Sequence, residues 1–268
     1  MKHEGIIRKP AGWASGLQQA GGGAALIAVA WFWHFSGNLP AHGRALLAAG
    51  LGALVLGIYR ADRSWDKRRA GREQQPPRAW RASWQASGVA GLALALACGI
   101  VFWRLGAGAE ASAPLRLGLW VAACTAGTLL YYQARRTFPS WGRGRPLVVA
   151  TIFWAGVAGP PSAWSDSAPG PCAWGFLLLL WMNARICLSP QRVLRARGFA
   201  VYQVALGGMA IALFLQTPGE ADLAIRIAGV LGALVLAALP RVSPAVPSLA
   251  LTADLAIWAP ALAAILWR

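Results

Sequence analysis

Apolar residues run in long blocks along this chain, broken by short polar stretches, and the block length is what fixes the reading. About 17–22 residues cross a hydrocarbon core as a helix. The runs at 22–39, 44–60, 86–103, 115–132, 146–163, 172–189, 199–216, 222–240 and 247–267 each predict one such helix. They leave a segment 1–21 ahead of them and nothing for a separate soluble domain, so 22–268 is expected to be a single all-α, nine-span transmembrane bundle. Glycines inside several runs, and Arg44 at the head of the second, blur the boundaries by a few residues.

Composition agrees: 57% of the 268 residues are hydrophobic and 13% are charged, with a mean hydropathy of +0.49. The charge then orients the bundle. With the N-terminus on the cytoplasmic side, only Arg44, Arg104, Arg116, Arg226 and Arg268 of the 25 Lys and Arg fall outside. The positive-inside rule therefore puts 1–21 in the cytoplasm and the C-terminus outside. The net charge of +16 is mostly topology. Its basic residues are scattered over inner loops instead of lining one recognition element, so no nucleic-acid partner is expected. Residues 1–19 carry Lys2, Arg8 and Lys9 but no apolar core, so no cleaved signal is expected, and the first span reads as a retained anchor in an inner, cytoplasmic membrane.

Cys98, Cys124, Cys172 and Cys187 fall in four different spans with no C-x-x-C spacing, which points to neither zinc nor disulfides. His34 reads as a packed core histidine. Tryptophans such as Trp65, Trp80, Trp84, Trp141, Trp164 and Trp181 cluster near span ends and read as interfacial belt residues. Asp254 is different: it lies about seven residues inside the last span, where a charge costs on the order of 2.5–3.5 kcal/mol. It must face the bundle interior, with Arg241, Thr252 or a substrate hydroxyl as candidate partners.

The strongest lead to chemistry is Tyr59-Arg-Ala-Asp-Arg-Ser-Trp-Asp-Lys-Arg-Arg69, just beyond the second span. On a continuing helix, Asp62 and Asp66 share a face with Cβ atoms roughly 5–6 Å apart, and two acids there repel unless a cation lies between them. Mg²⁺ carrying a phosphate ligand suits that arrangement. Arg63 and Lys67 flank it. The next inner loops add Tyr131, Tyr132, Arg135 and Arg136, then Asn183, Arg185 and Arg192. A diphosphate at a membrane edge calls for this combination of carboxylates for the metal and Arg or Lys for the outer oxygens.

These residues resemble the UbiA superfamily of intramembrane prenyltransferases. That family has nine helices and a site opening to the cytoplasm, and its helix-two exit reads N-D-x-x-D-x-x-x-D. Asp62 and Asp66 match the last two acids, while Ile58 and Tyr59 stand where the Asn and first Asp would be. Tyr131 with Arg135 and Arg136 resembles the family's tyrosine and basic pair after helix four. A related branch with Y-x-x-D-R-x-x-D at that exit is similar over Tyr59, Asp62, Arg63 and Asp66. The family's second acidic motif, after helix six, is missing: Asn183 to Gly198 contains no acid, and Arg185, Arg192, Arg195 and Arg197 stand there instead.

The resemblance implies that an isoprenoid diphosphate is held by Mg²⁺ on Asp62 and Asp66. Arg63, Lys67, Arg135, Arg136, Arg185 and Arg192 would bind phosphate oxygens, with Tyr131, Tyr132 or Trp181 near the carbocation and Asn183 in the same region. Transfer to an acceptor, or cyclisation, would follow. Two other readings stay open. A non-catalytic UbiA-like protein binding a lipid or scaffolding partners fits the missing acids, with Asp66 simply pairing with Arg69 on a wet connector. A transporter fits one intramembrane acid, although no internal repeat is visible.

Overall fold

In the computed structural model, residues 22–37, 39, 41–69, 100, 112–137, 144–188, 191–194, 196–217, 223–242 and 246–266 are described. Among them every regular element is a helix. The order is α1 (Gly22–Phe35), α2 (Ala41–Arg69), α3 (Ser112–Thr137), α4 (Arg145–Ser165), α5 (Pro171–Leu188), the single turn α6 (Gln191–Leu194), α7 (Arg197–Leu215), α8 (Leu223–Val242) and α9 (Val246–Leu266). Six helices are long and apolar enough to cross a membrane: Ala41–Tyr59 of α2, together with α4, α5, α7, α8 and α9. Two shorter apolar helices, Gly22–Phe35 and Leu115–Tyr131, coincide with the first and fourth expected spans. The third, 86–103, lies outside the described residues apart from Ile100.

α1 and α5 organise the bundle. α1 packs on α2, α4 and α9, while α5 packs on α4, α7, α8 and α9. Their meeting point is aromatic. The Trp31 ring stacks on Phe176 at 4.5 Å between centroids and tilts against Phe214 at 5.8 Å, and all three side chains are fully buried. An indole this deep needs a partner for its N–H; Trp31 Nε1 donates to Ile257 O of α9 at 3.2 Å. α3 sits outside this core against α4. Its Leu115, Leu119, Leu129 and Leu130 are more than 60% exposed, an apolar outer face that suits a lipid surround.

Antiparallel helices and short links sort the helix ends into two sets. Arg116 at the start of α3 donates from Nε to Ala163 O at 2.9 Å, tying that start to the end of α4. α4 contains Pro160 and Pro161 and closes on Asp166 in the left-handed region, φ 53°, a conformation that Asp tolerates better than most residues. The Asp166 carboxylate lies 3.8 Å from Arg116. The ends of α1, α4 and α7 and the starts of α5 and α8 meet around one cavity. The ends of α2, α3 and α5, with α6 and the starts of α4 and α7, lie opposite.

Candidate functional site

The opposite end carries the residues that the sequence singles out. α2 runs without a break to Arg69, because Ala61 to Arg69 contains neither Gly nor Pro and is rich in good helix formers. Asp62 and Asp66 are therefore one helical turn apart, with Arg63 and Lys67 on the same extension. Arg135 and Arg136 stand in the last turn of α3, and Arg192 on α6. The side chains of Asp62, Arg63, Asp66, Lys67, Tyr132, Arg135, Arg136 and Arg192 lie outside the described residues, as does that of Trp65.

Besides Trp181, three of the expected site residues, Tyr131, Asn183 and Arg185, have defined surroundings, and each meets a partner that sequence reasoning did not pick. The buried Tyr131 accepts a hydrogen bond on its hydroxyl from Arg145 Nε at 3.1 Å, linking the end of α3 to the start of α4. Arg185 lays its guanidinium over the rings of Tyr202 at 4.0 Å and Phe199 at 4.8 Å, both on α7. Trp181 meets Tyr202 edge-on at 5.8 Å. It sits on α5, half-buried and packed against the core.

Asn183 is the most constrained of the three. Its Nδ2 donates to Asp254 Oδ1 at 3.0 Å, and its Oδ1 accepts from Cys187 Sγ at 3.3 Å. The interior position expected for Asp254 is what the structure has, and Asn183 is a partner not foreseen from sequence. Gly23 makes room from the other side: a Cβ there would lie 2.6 Å from Asp254 Oδ2. A polar pair thus joins α5 to α9, with α1 pressed close against it.

The other end holds a cavity of about 240 Å³. Its floor is apolar, with Phe35, Ala158 and Ile225, and its walls carry the hydroxyls of Ser162, Ser165, Ser167 and Thr217. His34 also lines it, half-buried near the Trp31 ring. None of these hydroxyls stood out in the sequence, because they come from two separate links and the end of one helix.

Asp62 and Asp66 thus stand one helical turn apart in the backbone of α2, and Arg185 of α5 is held by two rings of α7. All-helical among the described residues, with six helices there of membrane-crossing length and apolarity, the chain has the make-up of a multi-pass membrane protein. Comparison with family models, curated proteins and solved structures finds no match to this chain.

Proposed function

We propose that this chain is a UbiA-like, nine-span membrane protein that binds an isoprenoid diphosphate with Mg²⁺ and transfers or cyclises its prenyl group. The observation that carries this reading is the unbroken run of α2 to Arg69, which gives Asp62 and Asp66 helical i,i+4 spacing beyond an apolar span. Asp62 and Asp66, one turn apart, would hold a single Mg²⁺ between them. Bound there, the ion would supply Lewis-acid assistance to diphosphate loss. Arg63, Lys67, Arg135, Arg136 and Arg192 would grip the outer phosphate oxygens, and the apolar tail would lie along the helices. The excess of Arg and Lys in the inner loops supports a cytoplasmic face for this end, with the N-terminus inside and the C-terminus out.

A second reading, a lipid-binding protein of the same kind without turnover, is favoured by Asn183 and Arg185. These residues stand near the end of the sixth expected span, yet Asn183 engages Asp254 and Arg185 engages two rings. No second acidic motif is present there to share the phosphate charge. The two readings separate in one experiment. Purified protein is given farnesyl and geranyl diphosphates with Mg²⁺, and both binding and diphosphate release are followed. Release that Asp62→Asn and Asp66→Asn abolish supports catalysis. Binding that the same substitutions weaken, without release, supports the second reading. Neither binding nor release removes both.

A further inference from the structure

The cavity at the far end of the bundle plays no part in the proposed site, and its hydrogen-bond pattern specifies a guest. A hydroxyl has one proton and two lone pairs, so a hydroxyl that donates inside its own helix can only accept from a ligand. Ser162 Oγ donates to Ala158 O at 3.0 Å, and Thr217 Oγ1 to Leu213 O at 3.3 Å. Ser165 Oγ donates to Pro161 O at 2.9 Å. With the Ser165 proton assigned to that bond, Ser167 is the donor in the 2.7 Å contact between Ser165 and Ser167, in which either oxygen could donate. All four side-chain protons are committed, and four oxygens present lone pairs to one space.

Charge narrows the class. No carboxylate lines the cavity, so a cation would lose its hydration without a counter-charge. An anion would face the lone pairs of four oxygens, with the His34 imidazole the one nitrogen-bearing side chain of the lining set against them. A neutral molecule with several O–H donors meets neither cost. Its apolar faces would rest on Phe35, Ala158 and Ile225. At about 240 Å³, the space is below the range of pockets that take drug-sized ligands, about 300–1,000 Å³.

We infer that this cavity binds a neutral polyol of about the size of a hexose, held by donation to Ser162, Ser165, Ser167 and Thr217. The polyol can be a free sugar or the hydroxyl-bearing head group of a lipid. Both present the same donors.

The test uses the full chain in phosphatidylcholine nanodiscs. Binding of glucose is measured by titration calorimetry against fully O-methylated glucose, which keeps the ring but has no donors, and against ethanolamine and phosphate. Glucose should bind, and the other three should not. Ser162→Ala and the isosteric Thr217→Val should each weaken glucose roughly three- to ten-fold, the worth of one neutral hydrogen bond. In phosphatidylglycerol nanodiscs, apparent glucose affinity falls if a lipid polyol occupies the cavity and holds steady if only free polyols do; either result sustains the shared chemistry. Equal binding of the methylated sugar, preference for ethanolamine or phosphate, or no glucose binding at all would overturn it. The methylated-sugar comparison needs no mutant, so a misfolded variant cannot mimic the negative result.

Discussion

Asn183 and Asp254, 71 residues apart in sequence, are joined by a 3.0 Å hydrogen bond from the amide Nδ2 to the carboxylate Oδ1. A carboxyl group well inside an apolar helix is costly unless a polar partner receives it. Here the partner comes from the neighbouring helix α5, and a glycine on α1 opens the space. The pair is first of all an interhelical fastener.

Its strength is measurable. Asp254→Ala and Asn183→Ala should each destabilise the bundle. A double-mutant cycle should return a coupling of about 0.6 kcal/mol, with roughly 1.7 kcal/mol as the ceiling for interhelical hydrogen bonds in membranes. Reversible unfolding in mixed micelles would supply the numbers. Additive single losses would mean that the bond contributes nothing.

Gly23→Ala forces a methyl to 2.6 Å from Asp254 Oδ2 and 3.1 Å from its Cγ. A contact this short makes something shift, at a cost of about 1–3 kcal/mol. Most of that cost should disappear in an Asp254→Ala background, because both clashing atoms are gone. The same unfolding assay decides, and an equal cost in the two backgrounds would locate the strain elsewhere.

Arg185 is expected to need its guanidinium plane more than its charge. Stacking over Tyr202 and Phe199 uses a flat, delocalised cation, which Lys does not provide. Arg185→Lys should lower stability by about 0.5–2 kcal/mol. In a Tyr202→Leu background the same change should cost measurably less.

Gln203 is fully buried. Its Nε2 donates to Met182 O at 3.1 Å, while its Oε1 has no hydrogen-bond partner. An unmet buried acceptor costs about 1–3 kcal/mol, close to offsetting what the amide bond contributes. Gln203→Met should therefore change stability by less than about 1 kcal/mol, whereas Gln203→Ala, which opens a void, should cost about 2–4 kcal/mol. Thermal denaturation of both variants would compare them directly.

Topology and metal dependence test the wider reading. A reporter fused after Arg268 should be active outside the cytoplasm, and a cytoplasmic signal would break the nine-span count. Removing Mg²⁺ with a chelator should weaken binding of an isoprenoid diphosphate. Arg135→Ala or Arg136→Ala should weaken it about ten-fold or more, the scale of a hydrogen bond to a charged group. A scintillation binding assay reads both effects.

The helices were legible in the sequence because membrane-crossing length and apolarity are properties of one contiguous run. Eight of the expected spans meet apolar helices, most to within a few residues. The first ends earlier than expected, at Phe35 and not at residue 39. Ser36 returns its hydroxyl to Trp33 O, and Gly37 follows. The continuation of α2 was equally legible, since no Gly or Pro lies between Gly57 and Gly71. What could not be read was pairing between helices. Nothing local distinguishes Asn183 as the partner of Asp254, Arg145 as that of Tyr131, or Tyr202 as the platform for Arg185. The four cavity hydroxyls likewise gain meaning only once separate helix ends are brought to one place.

α1 and α9 are neighbours in the bundle but more than two hundred residues apart in the chain. Trp31 finds its carbonyl on α9, and Gly23 finds its snug contact there. During synthesis, then, α1 is made long before its counterpart exists, and its indole N–H must wait with no carbonyl from α9 to receive it. Ribosomes that stop short of α9 would release a chain with that seam open, a ready target for membrane proteases. Synthesis of α9 is thus what locks the ring of contacts shut.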